Sequence, residues 1–136
     1  MKKINIFNKI NQGLERHEDD RGTIADVFYN AQLHHVAVVR SYPGALRGNH
    51  YHKESTQHML MTKGCMEYWY KPVGSTEPSQ MVLVEVGDLV STPPNEIHAL
   101  RYLDQESEFI VFSEGPRGGS DYEADTFRTA SIFDGQ

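Results

Sequence analysis

The feature that most constrains this chain is the way its apolar residues are grouped. They come in short runs, each closed by Gly, Pro, Asn or Asp, and none keeps the period of an amphipathic helix. Ile24–Tyr29, Leu33–Tyr42, Met81–Val86, Leu89–Thr92, His98–Tyr102 and Glu108–Phe112 all read as strands, and Ile4–Phe7 as an edge strand. Pro43-Gly44, Gly87-Asp88 and Pro93-Pro94-Asn95 supply turns between them. Gln57–Thr62 and Met66–Lys71 flank Lys63-Gly64-Cys65 and are expected to form a hairpin. The segment 121–125 could make one helical turn. Roughly eight or more strands at this spacing predict an all-β antiparallel sandwich or barrel.

A chain of 136 residues with 38% hydrophobic content can bury one core, and it shows no repeat, linker or composition break. Residues 1–136 are therefore read as a single domain. The formal charge of -6 argues against a general nucleic-acid or anionic-membrane binder but leaves room for a local basic pocket. Cys65 is the single cysteine, so neither an internal disulfide nor a multi-cysteine zinc cluster is available, which suits a reducing compartment. The opening MKKINIFNKINQ breaks its apolar residues with Asn and Lys, unlike a secretory signal, and no later run approaches a membrane span. The expectation is a soluble, cytoplasmic protein. No glycine-rich nucleotide fingerprint joins a strand to a helix.

The chemistry concentrates in Pro43–Gln57. If His50 and His52 share a strand, their spacing puts both rings on one face. Neutral imidazoles there can bind a borderline metal or exchange protons near neutral pH. Paired histidines can equally sit on a wet strand face or bond within a polar core. A third histidine, His98, follows the proline-marked turn.

Gly44, His50, His52, Gln57 and Gly64, followed by Gly87, Pro93 and His98, match the two spaced motifs of the cupin superfamily, which this chain resembles. Asn95 stands where the second motif has Gly and Tyr102 where it has Asn; Asn tolerates positive φ better than most residues. The resemblance implies a cupin-type antiparallel β-barrel, a jelly roll. In metal-binding cupins the position of Gln57 is a Glu. The amide still offers oxygen, so His50, His52, His98 and Gln57 are the candidate ligands for Zn, Ni, Mn or Fe. The same residues can make an organic acid-base site that requires no cofactor.

Asp20-Arg21-Gly22 together with Arg47-Gly48-Asn49-His50-Tyr51-His52-Lys53 resembles the sugar-nucleotide-modifying branch of cupins. That branch includes dTDP-4-dehydrorhamnose 3,5-epimerases, dTDP-4-keto-6-deoxyglucose 3,4-ketoisomerases and the cupin domain attached to capsular-polysaccharide reductases. Asp125-Thr126-Phe127 matches an acidic-aromatic segment of the last. By resemblance, Arg21 and Arg47 hold the nucleotide diphosphate, His50 is the base, and His52 and Gln57 fit the ketoisomerases. The implied function is isomerization of a nucleotide-linked 4-keto-6-deoxysugar, with 3,4-ketoisomerization leading. A non-catalytic sugar-nucleotide-binding cupin and a metal-dependent cupin acting on another small molecule are the alternatives. A homodimer is implied, with neither nucleic acid nor membrane as partner.

Tyr42 is a candidate phenolic donor and Tyr102 a candidate substrate contact, each with strand packing as the alternative, as for Tyr70. Adjacent His34 and His35 must point to opposite faces of a strand, so at most one enters the barrel. His58 is expected on the face opposite Gln57. The Gly115–Gly119 loop, with Arg117, is a candidate cover for a phosphate.

Overall fold

The computed structural model describes residues 1–8, 14–116 and 119–134. Among them the chain forms β1 (Lys2–Asn5), β2 (Arg16–Asp19), β3 (Gly22–Ala25), β4 (His35–Ser41), β5 (Leu46–Tyr51) and β6 (Thr56–Lys63). It continues with β7 (Met66–Pro72), β8 (Gln80–Val84), β9 (Asp88–Thr92), β10 (Glu96–Tyr102), β11 (Ser107–Glu114), α1 (Gly119–Ala124) and β12 (Phe127–Arg128). Two five-stranded sheets result, in the orders β1-β9-β6-β11-β4 and β12-β5-β10-β7-β8, with β2 and β3 as a separate pair. Every ladder is antiparallel. This is the all-β antiparallel architecture that the strand spacing predicts, in the jelly-roll form that the resemblance implies.

Period-two alternation decides which face each strand buries. In β11, Ser107, Phe109, Val111 and Ser113 point inward while the residues between them are partly exposed. Met59 and Met61 of β6 meet Met66 and Tyr68 of β7, Leu100 and Tyr102 of β10, and Phe109 and Val111 of β11 between the sheets. A smaller apolar cluster, Ile6, Leu60 and Leu89, lies outside this core and is covered by Val27 and Phe28. That packing explains why the run Ile24–Tyr29 pairs only as far as Ala25: its later residues cover a sheet face.

The expected hairpin through Lys63-Gly64-Cys65 is a corner between sheets instead. β6 pairs with β9 and β11, whereas β7 pairs with β8 and β10. Gly64 has φ +73°, and a Cβ there would meet Ser107 Oγ at 2.4 Å and the Glu106 carbonyl oxygen at 2.7 Å. A hairpin and a corner bury the same alternating residues, so the local pattern does not separate them. At the N-terminal end the paired residues are Lys2–Asn5 rather than Ile4–Phe7. No helix among the described residues is long and apolar enough to cross a membrane.

Candidate active site

The site is built on the β5–β10 ladder. His98 pairs with His50, the register then shifts at a bulge between His98 and Ala99, and Ala99 pairs with Gly48. Gly48 (φ +89°) makes that approach feasible, since a Cβ would stand 2.7 Å from the His98 carbonyl oxygen and 2.9 Å from the Ala99 Cα. His52, just past the end of β5, joins the other two rings. The centroid separations are 5.0 Å for His50–His52, 4.7 Å for His50–His98 and 5.5 Å for His52–His98. One nitrogen of each ring lies within 4.8 Å of the others.

Backbone carbonyls orient two of these rings. His52 Nδ1 lies 2.7 Å from the Asp125 carbonyl oxygen and His98 Nδ1 lies 3.2 Å from that of Glu96. A carbonyl only accepts, so Nδ1 carries a proton in both rings, and in a neutral ring Nε2 is then the nitrogen with the free lone pair. Burial, followed by the neighbouring His50 ring, pushes the His98 pKa down to about 3, so this ring is neutral at physiological pH. Imidazoles held this way by their second nitrogen are a fitting donor set for a borderline divalent ion.

Asp125 fixes the turn that follows His52. Its carboxylate accepts from the amides of Lys53 (2.9 Å), Glu54 (3.1 Å) and Ser55 (3.0 Å) and from Ser55 Oγ (2.9 Å). Burial opposes the carboxylate charge, yet these donors outweigh it and hold the pKa below the ordinary aspartate value.

A cavity of about 370 Å³ opens over the rings, lined by Arg47 and His50 of β5, Gln57 of β6, His98 of β10, Tyr122 of α1 and Arg128 of β12, with apolar side chains behind. His52 is buried beside it. Arg47 Nε donates to Ser41 Oγ at 2.9 Å, and a terminal nitrogen donates to the Arg40 carbonyl at 3.3 Å. The candidates His50, Gln57, His98 and Arg47 are thus gathered around one space.

Others are not. Tyr42 is 79% exposed and lies in a separate cavity of about 550 Å³ with Arg40, Lys63, Glu106 and Glu108. β4 ends at Ser41, whose side chain is the inward one, so Tyr42 turns outward. Tyr102 is 1% exposed and stacks on Phe109 in the core. Burial raises its phenol pKa against the opposing effect of Ser41 and Arg47, and it does not line the histidine cavity. Arg21, at the exposed β2–β3 turn, pairs with Asp19 at 2.7 Å and is not brought to the histidines in this chain. Arg117 lies outside the described residues.

The minor histidines behave as strand geometry requires. His35 faces inward, half-buried, while exposed His34 accepts the Gly115 amide at 3.0 Å. His58 lies on the outer face, between Ser91 Oγ at 2.7 Å and Glu114 at 2.9 Å. Tyr70 bonds Gln80 at 2.8 Å and does not line the histidine cavity. Two cavity residues escaped the sequence reading, Tyr122 and Arg128. They flank the Asp125-Thr126-Phe127 segment, the one local signal that pointed to this region. Tyr122 places its ring 5.8 Å from His52 and 6.4 Å from His50.

The model of the polysaccharide biosynthesis C-terminal domain family matches residues 17–115. The chain belongs to this family. A Pseudomonas aeruginosa protein, UDP-2-acetamido-2,6-beta-L-arabino-hexul-4-ose reductase, is 30% identical over 96 residues, covering 70% of this chain and 26% of the relative. The crystal structure of the capsular polysaccharide assembling protein CapF from Staphylococcus aureus superposes with a TM-score of 0.63 at 22% identity, over 87% of this chain and 33% of that one. A 3,4-ketoisomerase from Helicobacter canadensis superposes with a TM-score of 0.73 at 16% identity, over 94% and 90% of the two chains. This member of the family therefore spans about a quarter of its curated relative and nearly all of the ketoisomerase length. Its fold is that of this ketoisomerase, and a dTDP-4-dehydrorhamnose 3,5-epimerase from Elizabethkingia anophelis shares it, with a TM-score of 0.66 at 13% identity over 79% of this chain and 69% of that one.

Proposed function

We propose that the chain acts on a nucleotide-linked 4-keto-6-deoxysugar, moving the proton on the carbon beside the ketone, with 3,4-ketoisomerization as the net reaction. The observation that carries this reading is the convergence of His50, His98 and Arg47 on one cavity, with His52 grouped with the other two rings. The 4-keto group acidifies the C3 proton, and the half-buried, cavity-facing His50 removes it. Gln57 and Tyr122 offer donors to the enediolate oxygen as charge develops. Transfer of a proton between O3 and O4 and reprotonation at C4 leave the ketone at C3. Arg47 serves the diphosphate through its several fixed donors. The same reading takes the working protein to be a homodimer; the exposed Val36 and Val38 of edge strand β4 supply an apolar face for it.

A second reading has an observation of its own. A two-histidine proton relay does not call for a third buried imidazole at the same point, and a metal site does. His50, His52 and His98 would hold Zn, Ni, Mn or Fe, which supplies Lewis-acid polarisation of a bound carbonyl.

Metal-analysed protein is incubated in D2O with dTDP- and UDP-linked 4-keto-6-deoxyglucose and the sugar is followed by NMR. Deuterium incorporation with a 3-keto product supports ketoisomerization; exchange at C3 and C5 replaces it with epimerization. Binding without exchange leaves a sugar-nucleotide-binding role. Activity that disappears with a chelator and returns with one ion selects the metal-dependent reading.

A further inference from the structure

We infer that Arg128 is a second anion-binding residue of the histidine cavity, and that Glu123 is its internal counter-ion, displaced when a ligand phosphate arrives. The inference rests on the proposed nucleotide-sugar reading for the class of ligand, a nucleoside diphosphate. Among the described residues that line the cavity, Arg47 and Arg128 are the permanent cations, and no carboxylate lines it with them. In a chain of formal charge -6, an anion has to be drawn by a local positive site.

The placement of Arg128 is set by its backbone. In the β12–β5 ladder it pairs with His50, and Phe127 pairs with Tyr51. Phe127 stacks on Tyr51 at 5.3 Å and lies under the Lys53 ammonium at 4.3 Å. On one side the Asp125 carboxylate pins the segment to residues 53–55; on the other, the Thr129 amide donates to the Asn49 carbonyl at 2.8 Å. Arg128 is therefore held at the mouth of the cavity, across the ladder from the proposed base.

Its head group is already in the geometry an anion would use. The two terminal nitrogens donate to the two oxygens of Glu123 at 3.2 and 3.1 Å, a fork that phosphate oxygens can take over. Both side chains are well exposed, at 63% and 61%, so the pair is weakly held and its exchange is cheap. By contrast, no described carboxylate pairs with Arg47, whose partners are Ser41 and the Arg40 carbonyl. Arg21 has its own acid, Asp19, on a different hairpin. The second cationic position that the resemblance gives to Arg21 falls within this chain to Arg128.

The test is calorimetric titration of chelator-treated protein with UDP, dTDP, pyrophosphate and uridine. Wild type is expected to bind a diphosphate probe and not uridine. Arg128→Gln should weaken diphosphate binding about tenfold, with Arg128→Lys intermediate because the point charge remains and the fork is lost. Glu123→Gln should tighten binding severalfold, since the competing carboxylate is gone; a merely structural role for the pair would not give this. Circular dichroism and melting curves establish that each variant is folded. Wild-type affinity in folded Arg128→Gln overturns the inference, as does unchanged or weaker binding in Glu123→Gln. Failure of wild type to bind any of the diphosphate probes does so too. Diphosphate binding that follows this pattern without isotope exchange in the sugar sinks the proposed reaction and leaves the subsite standing.

Discussion

Asp125 shows how one carboxylate can set a site it does not enter. It gathers three amides and a hydroxyl at the turn after His52, while its own carbonyl accepts a hydrogen bond from His52 Nδ1. Asp125→Asn would turn an amide NH2 toward some of those donors and leave at least one unsatisfied, at a cost of about 1–3 kcal/mol at pH 7. Because the folded pKa lies below the free value of 3.8, the carboxylate stabilises the fold above that value, and the contribution is lost as pH falls through the folded pKa. Urea titrations should show the gap between wild type and Asp125→Asn closing at acid pH. A gap that is constant with pH would mean that the charge of Asp125 contributes nothing.

His98 gives a second pH signature in the metal-free protein. Its folded pKa of about 3 is below the free value of 6.5, so between these values the unfolded chain binds the proton and the folded one does not. Stability should therefore fall as pH drops from 6.5, and the slope should be shallower in His98→Gln. Ring chemical shifts would show His98 still neutral at about pH 5; titration near 6.5 would remove the effect. At this scale the histidines and Gln57 were legible because motif spacing alone names them. Tyr42 and Tyr102 were not, because the direction of a strand-end side chain follows from pairing, and pairing is set by other strands.

At the scale of elements, the sensitive point is the seam between β5 and β10. The atoms that an added Cβ at Gly48 would strike belong to the backbone of His98 and Ala99, so no flexible side chain can yield. Gly48→Ala must move β5 away from the bulge, and its φ of +89° adds strain at the same residue. The expected cost is about 1–3 kcal/mol of stability, with turnover reduced further than the stability loss explains, because His50 shifts against His98. Measuring kcat on the fraction that remains folded separates the two effects. An Ala variant with wild-type kcat would show that the seam has room to spare. The strands themselves were readable from alternation, yet the partners of β6 and β7 were not. Met59, Met61, Met66 and Tyr68 give the same inward pattern whether Gly64 makes a hairpin or a corner, and contacts with Glu106 and Ser107 decide between them.

For the whole molecule, the jelly roll was legible from two motifs with a proline-marked turn, whereas the C-terminal segment that carries Tyr122 and Arg128 to the cavity was not. α1 buries no side chain and β12 has two residues, so neither has a periodicity to read; their place follows from Asp125 and from the β12–β5 ladder. This architecture also separates the two readings of the trio. His50 and His52 enter from one end of β5 and His98 from β10, so an ion held by all three would tie two segments far apart in sequence. Such an ion binds the folded chain and finds no preformed site in the unfolded one. At one hundred times its Kd it adds about 2.7 kcal/mol, or roughly 9 °C in Tm for a chain of this size. Melting curves of chelator-treated protein with Zn, Ni, Mn or Fe(II) added should show a rise of that order for the preferred ion. His98→Gln should lose most of it, since two imidazoles and an amide remain. If no ion moves the midpoint of wild type, the metal-dependent reading falls, and isotope exchange in the sugar then decides between proton transfer by bare imidazoles and a binding role.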